Sequence, residues 1–304
     1  MKPSGQKMTR PSKLLQPDSP LSAGAGFSCR PCLLLHLAKA KKHAMFIEQE
    51  PYYKPIGKEI EVFEHAFKNK LPLLLKGPTG TGKSRFVEHM AWRLKKDLIT
   101  VACHEETSST DLIGRYIIRG AETVWQDGPL TKAVKTGAII YLDEIAEARP
   151  DVIVAIHPLT DFRRNLYIDK LGKEIAAHPD FMFVASFNPG YQKGFKELKP
   201  STRQRFVSLS FNHPLPQTET EIIISESRID APTARRLVKI AEKIRNLHEL
   251  GLAETVSTRL LVDAGKLIYT GLNPRLAVQT AVVEPLTDEP DTLEALKDLT
   301  DLMI

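Results

Sequence analysis

Residues 71–86 read LPLLLKGPTGTGKSRF. Leu73, Leu74 and Leu75 belong to a short apolar run, Leu71–Leu75; a glycine-rich turn follows, and Ser84–Lys95 then carries Phe86, Met90, Ala91 and Leu94 at helical spacing. The stretch therefore reads as buried strand, tight turn and helix start. Gly77 to Ser84 fit G-x-x-x-x-G-K-[ST] in the setting that pattern requires. The glycines let the backbone curl so that successive N–H groups point inward, and the helix N-terminus adds positive potential, which together make a cradle for phosphate oxygens. The candidate binding positions are Gly77, Pro78, Thr79, Gly80, Thr81, Gly82, Lys83, Ser84 and Arg85. Lys83 is expected to reach the β and γ phosphates of a nucleotide. Ser84 is expected to offer its hydroxyl to Mg²⁺, which takes oxygen ligands and keeps several waters.

Outward from this turn, strand and helix patterns alternate. Lys58–Lys68 has Ile60, Phe63, Ala66 and Phe67 at helical spacing, and Leu98–Ala102, Ala138–Leu142, Phe181–Ser186 and Phe206–Phe211 read as buried strands, with a helix expected over Arg149–Leu159. Alternation of this kind specifies an α/β fold with a parallel sheet covered on both faces. Beyond Pro214 and Pro216 only helical patterns remain, about Thr218–Ser227, Thr233–His248, Thr258–Tyr269, Pro274–Val283 and Leu293–Leu299. The expected organisation is a leader over 1–44, an α/β nucleotide-binding domain over 45–215 and a helical domain over 216–304.

Charge divides unevenly along the 304 residues. The chain is +5 overall, but residues 1–44 hold eight basic side chains against Asp18, a net of +7, so the remainder is −2. A body of that sign has no general electrostatic attraction to nucleic acid, and no nucleic-acid-binding motif is legible. The leader is rich in Pro, Ser, Gly and Lys and reads as disordered. Met45 offers an alternative start, which would make the leader an artefact of gene prediction. Cys29 and Cys32 form a C-x-x-C pair there, without a second pair or His cluster to complete a zinc site. Three cysteines cannot staple a chain of this length, which suits the reducing cytoplasm, and no run reaches the roughly 18 apolar residues of a membrane span.

The run Ala138-Ile-Ile-Tyr-Leu-Asp143-Glu144 delivers two carboxylates at the strand end where parallel sheets bind ligands. Asp143 suits the Mg²⁺ water shell, and Glu144, expected on the opposite pleat, suits polarisation of an attacking water. Asn188 follows another apolar strand and could hold that water or contact the γ phosphate. Arg203 and Arg205 precede the strand at Phe206; in a ring of copies either could enter a neighbour's site as an arginine finger. Arg259 begins a helix after the plausible caps Ser257 and Thr258 and could fold over the γ phosphate. Tyr52, Tyr53, Ile56 and Gly57 offer an apolar lip for a base. His104, His157 and His178 lack metal-ligand spacing and read as structural.

Taken together these residues resemble an AAA+ ATPase, and more narrowly the MoxR-type CbbQ/NirQ/NorQ family, related to GvpN. The resemblance runs from about Tyr52 to the C-terminus, on LLLKGPTGTGKSRFVEHMAWRL (73–94), TVACHEETSSTDLIGRY (100–116), WQDGPLTKAV (125–134), YLDEIAEAR (141–149), FNPGYQ (187–192) and LKPSTRQRFV (198–207). It implies a P-loop NTPase fold, with a parallel five-stranded sheet flanked by helices and a C-terminal helical lid. Lys83 and Ser84 match Walker A, Asp143 and Glu144 Walker B, Asn188 sensor 1 and Arg259 sensor 2. Arg205 is the first choice for the finger and Arg203 the next. Ile117–Trp125 matches the family's pore-facing insertion, and Asn165–Ala176 reads as a β-hairpin before sensor 1. Ala146 stands where relatives often carry a bulkier apolar side chain, and the leader has no counterpart.

The same resemblance implies ATP and Mg²⁺ as cofactors, a hexameric homo-oligomer, a partner with a von Willebrand factor A domain, and a target metalloenzyme or carboxylase of the nitric oxide reductase or Rubisco type. Competing readings are a monomeric P-loop kinase, a nucleotide-binding regulatory protein and a nucleic-acid motor. A GTPase is disfavoured because Asn69-Lys70 is followed by Leu71-Pro72 and not by the guanine-reading x-D.

Overall fold

The computed structural model describes residues 46–189, 198–247 and 255–304. The expectations for the leader, Met45 and the Cys29–Cys32 pair, and for residues 190–192 and His248, fall outside the described residues. In chain order the elements are α1 (Glu59–Lys68), β1 (Leu73–Lys76), α2 (Lys83–Leu94), β2 (Leu98–Ala102), α3 (Ser109–Ile113), β3 (Gly114–Arg119), β4 (Glu122–Asp127), α4 (Pro129–Thr136), β5 (Ile139–Asp143) and α5 (Pro150–Ile156). There follow β6 (Asn165–Ile168), β7 (Lys173–Ala176), β8 (Met182–Phe187), α6 (Pro200–Arg203), β9 (Val207–Ser210), α7 (Pro216–Ser227), α8 (Ala231–Arg245), α9 (Thr258–Tyr269), α10 (Pro274–Val278) and α11 (Pro290–Asp301).

Five strands form one parallel sheet in the order β2-β5-β8-β1-β9. Successive side chains alternate between its faces, and two apolar clusters record that alternation. Leu74, Ile140, Leu142, Phe183 and Ala185 meet Leu112, α4 (Leu130, Ala133, Val134) and α5 (Val152, Ile156) on one side. Leu73, Leu75, Ile139, Tyr141, Met182 and Val184 meet α1 (Phe63, Ala66) and α2 (Phe86, Val87, Met90, Ala91) on the other. Phe86, fully buried and edge-on to Phe63 at 5.5 Å, is the centre of the second layer. Removing such a ring costs about 3–5 kcal/mol.

Two antiparallel hairpins stand apart from the sheet. β3 and β4 pair with Ile117 opposite Val124, and β6 and β7 pair with Leu166 opposite Ile175. The second was expected; the first shows that Ile117–Trp125 comprises the ends of two paired strands and the turn between them. The Tyr116 hydroxyl donates to the Lys170 carbonyl at 3.3 Å, joining the two hairpins. Ile118 is 80% exposed.

Helices α7 to α11 bury a core of their own, with Ile223, Leu237, Ile240, Ala241, Ile244, Leu261, Val278, Val282 and Leu296 among its members. α8 begins at Ala231, two residues earlier than expected, because the Asp230 carboxylate accepts the Thr233 N–H at 3.1 Å and so caps it. The helix expected over Pro274–Val283 is broken in character: α10 passes into a π-helical turn, Gln279–Val283. Pro285, in the following 3₁₀ turn, has no N–H and crowds the carbonyl four residues back, which explains the widened turn. No helix among the described residues is long and apolar enough to cross a membrane.

Candidate nucleotide site

Between β1 and α2 the chain turns through Gly77 (φ 155°), Gly80 (φ 73°) and Gly82 (φ 90°). A Cβ on Gly77 would lie 2.1 Å from the Phe211 carbonyl oxygen, so the loop begins pressed against the end of β9. Gly82 caps α2 without a side-chain hydrogen bond, leaving the first helical amides for a ligand. Lys83 Nζ donates to the Gly77 and Pro78 carbonyls at 2.6 and 3.0 Å, and the Thr81 hydroxyl donates to the Pro78 carbonyl at 2.9 Å. The lysine is thus folded along the loop whose amides it shares.

Strands β5 and β8 end beside this loop. The Ser84 hydroxyl donates to Asp143 Oδ2 at 3.2 Å, and Tyr141 donates to Asp143 Oδ1 at 2.7 Å. Ser186 also donates to Asp143 Oδ1, while its hydroxyl accepts the Glu144 N–H at 3.0 Å. Glu144 is not on the opposite pleat: β5 ends at Asp143, and Glu144 turns into the left-handed region at φ 54°, ψ 49°. That turn brings Glu144 Oε2 within 3.3 Å of the Asn188 N–H, which donates to it. Burial raises the Glu144 carboxyl above the usual range, Lys83 opposes the shift, and the Asp143 charge adds to it. Burial pushes the neighbouring Cys103 thiol up to about 12, with Asp143 and Glu144 contributing, which disfavours the thiolate.

Ser84 and Asp143 are paired oxygen donors, a set that suits Mg²⁺ better than a thiolate- or imidazole-preferring metal. Among the described residues no group of three or more His, Cys, Asp or Glu could hold a metal unaided. Nucleotide phosphates would supply the ligands that the side chains do not.

The loop and the two strand ends open into a cleft of about 800 Å³ whose other walls are Tyr52, Tyr53, Ile56 and the helical region. Thr79, Gly80, Thr81, Gly82, Lys83, Ser84, Arg85, Asp143, Glu144, Asn188 and Arg259 all line it. The Tyr53 ring packs at a tilt against Phe86, centroids 5.2 Å apart, and its hydroxyl donates to Glu59 Oε1 at 2.7 Å. Gly57 serves the same carboxylate, giving its N–H to Glu59 Oε2 at 2.8 Å. Burial works against the Glu59 charge, yet the donors from Ile56, Tyr53 and Gly57 outweigh it and hold the carboxyl below its usual range.

Across the cleft, Ser257 caps α9, accepting the Leu260 N–H, and Arg259 is the second helical residue. Thr258, the first, donates to Glu219 Oε1 at 2.7 Å. Glu219 is fully buried and receives two bonds from Arg245, at 2.7 and 2.8 Å, while Arg245 Nε donates to the Val256 carbonyl at 2.8 Å. Next to this pair, both ring nitrogens of His213 are buried with no hydrogen-bond partner among the described residues. Burial and the Arg245 charge push its pKa down to about 4, against the pull of Glu219.

Residues 72–206 match the model of the AAA domain (dynein-related subfamily), and residues 219–303 match that of the CbbQ/NirQ/NorQ C-terminal region. NorQ of Paracoccus denitrificans is 57% identical over 249 residues, 82% of this chain and 92% of that protein. Protein CbbQ of Hydrogenophilus thermoluteolus is 53% identical over 256 residues, 84% and 96% of the two. This chain belongs to the CbbQ/NirQ/NorQ family of AAA-domain proteins. A further family member, the denitrification regulatory protein NirQ of Pseudomonas aeruginosa, is 52% identical over 254 residues, 84% of this chain and 98% of that protein.

In this CbbQ/NirQ/NorQ chain Gly77 and Pro78 begin the loop without lining the cleft, and neither Arg203 nor Arg205 is among its walls. Arg203 ends α6, and Arg205 lies just beyond it, its Nη1 3.4 Å from Asp161 Oδ2. Arg163 shares that carboxylate at 2.6 Å. The three histidines have local roles: His104 and His178 each accept a backbone N–H two residues on, and His157 lies 3.4 Å from the Thr202 hydroxyl. Sequence reasoning missed Tyr141, Ser186, Glu219, Arg245 and His213. Ser186 lies on β8 two residues before Asn188, which follows the strand end, a legible signal; the Glu219–Arg245 pair spans 26 residues and has none.

Proposed function

We propose that this protein is an ATP-hydrolysing remodelling chaperone that works on a partner enzyme. The observation that carries the reading is the convergence of Lys83, Ser84, Asp143, Glu144, Asn188 and Arg259 on one cleft, drawn from both the α/β part and the helical part. The loop amides and Lys83 bind the phosphates. Ser84 and Asp143 would hold Mg²⁺, which when bound spreads the charge of the phosphate oxygens. Glu144 takes the proton of the attacking water, and its raised pKa suits a base working near neutrality. Asn188 orients that water, and Arg259 reads the γ phosphate from the helical side.

Arg205 acts as the finger in a neighbouring copy's site, with Arg203 as the alternative, within a hexameric ring. ATP and ADP differ in what they offer Arg259 and the finger, so hydrolysis alters the preferred pose of the helical region. The hairpins β3–β4 and β6–β7 transmit that change to a partner with a von Willebrand factor A domain. Through it the motor acts on a metalloenzyme or carboxylase of the nitric oxide reductase or Rubisco type, in the cytoplasm. The −2 charge of the body and the curated relatives named CbbQ, NorQ and NirQ support this over a nucleic-acid motor. The test is ATP turnover by the purified assembly, followed by capture from native extract with Glu144→Gln in ATP. Absence of turnover in assembled protein overturns the proposal.

A further inference from the structure

A buried ion pair inside a small helical region is an unusual way to gain stability. Desolvating Glu219 and Arg245 costs several kcal/mol, and an apolar pair of similar size is often as good or better for folding. Here the pair is end-on and bidentate, with Glu219 fully buried on α7 and Arg245 at the last residue of α8. Its remaining hydrogen-bond capacity goes to one place, the start of α9. Glu219 Oε1 accepts the Thr258 hydroxyl, and Arg245 Nε holds the Val256 carbonyl two residues earlier. Residues 256 and 258 are therefore fixed on both sides of Ser257, the cap that lies against the phosphate loop at Gly80. The next residue is Arg259.

We infer that the Glu219–Arg245 pair, through Thr258, is a positioning device that sets the first turn of α9 so that Arg259 meets the terminal phosphate of a bound nucleoside triphosphate. Glu219, Arg245 and Thr258 are positioning residues, since they act through Arg259; Thr258 lines the cleft but gives its hydroxyl to Glu219. The inference rests on the reading of Arg259 given under the proposed function. Its logic is geometric: neighbouring helical residues point about 100° apart, so an anchor on residue 258 aims residue 259 without occupying the cleft floor. A hydrogen bond to a buried charged acceptor is also stronger than a neutral one, which favours one rotation of α9 over its neighbours.

The test measures ATPγS and ADP affinities in the full-length protein, because only the former has a third phosphate. Thr258→Val keeps the shape and removes the hydroxyl. It is expected to weaken ATPγS binding about tenfold while ADP affinity stays within about twofold, as loss of one charge-assisted bond implies. Thr258→Ser is expected to restore most of the difference. A merely structural role would lower the melting temperature or both affinities together, and an unchanged ATPγS-to-ADP ratio in Thr258→Val overturns the inference. Arg259→Ala runs in parallel. If it collapses the ratio and Thr258→Val does not, the positioning device is wrong and the Arg259 reading stands; if it leaves the ratio intact, the Arg259 reading itself fails. Should Thr258→Val not fold, the paired change Glu219→Met with Arg245→Met removes the acceptor and both charges together, and the same selective loss is expected.

Discussion

Ser257 occupies the space that a side chain on Gly80 would need: a Cβ there would lie 2.5 Å from Ser257 Cβ and 2.6 Å from its hydroxyl oxygen. The phosphate loop and the helical region thus touch at a point where only glycine fits. Gly82 is also left-handed, at φ 90°, but has nothing within 4 Å. Both Gly→Ala changes bear the backbone penalty of about 1–2 kcal/mol, and only Gly80→Ala adds a collision. Without nucleotide, Gly80→Ala is expected to melt several degrees below Gly82→Ala. Equal melting temperatures would show that α9 yields freely.

Glu144→Gln keeps the side chain's volume and removes its basicity. Turnover is expected to fall by about 10²–10⁴-fold with ATP affinity nearly unchanged, read by single-turnover hydrolysis beside a binding titration. A parallel loss of binding would assign Glu144 to nucleotide affinity and not to the water.

Arg205 lies outside the cleft of its own chain, tethered to Asp161. Arg205→Ala is expected to lower turnover about 10³-fold in the assembly. Mixing Arg205→Ala chains with Glu144→Gln chains should restore activity, because some interfaces then combine an intact base with an intact arginine. Mixtures as inactive as either parent would exclude delivery across an interface.

Ser186 bonds Asp143 and the Glu144 amide at once. Outer partners of a metal-holding carboxylate commonly matter by 10–100-fold. Ser186→Ala is expected to raise the Mg²⁺ concentration for half-maximal nucleotide binding about tenfold, measured by titration at fixed ATPγS; an unchanged midpoint would make Ser186 a packing residue only.

His213 contributes to the pH dependence. Its folded pKa of about 4 lies below the ordinary 6.5. Between those values the unfolded chain binds a proton that the native one refuses, so stability falls as pH drops from about 6.5 toward 4 and is indifferent to His213 above that window. His213→Leu should flatten this part of a denaturation-midpoint curve against pH. An identical slope in the variant would place the acid sensitivity elsewhere.

The central strands β1, β5 and β8 were legible because they are buried on both faces and read as apolar runs, and β2, an edge strand with exposed residues, was still recovered end to end. The phosphate loop was legible for a different reason: its chemistry is local, so the eight consecutive residues Gly77–Ser84 and their flanks carry it. Short helices escaped. α3 and α4 depend on a capping box at Ser108 and on Pro129 at a first turn, signals too brief to stand out from a loop. Glu144 was placed on the opposite pleat, although it lies beyond the strand, because a period-2 pattern cannot announce that the strand has ended. The buried Glu219–Arg245 pair was illegible altogether, since each residue alone looks like the solvated face of an amphipathic helix and only the packing of α7 on α8 and α9 reveals the partner.

The left-handed backbone at Glu144 has a consequence for how such a protein ages under selection. A non-glycine residue in that conformation costs about 1–2 kcal/mol, and burial of its carboxylate is a second burden that Lys83 only partly relieves. With Glu144 as the proposed base, chemistry and durability pull position 144 in opposite directions. A library screened solely for heat resistance should converge on Glu144→Gly, giving a hardier molecule that has forgotten its task.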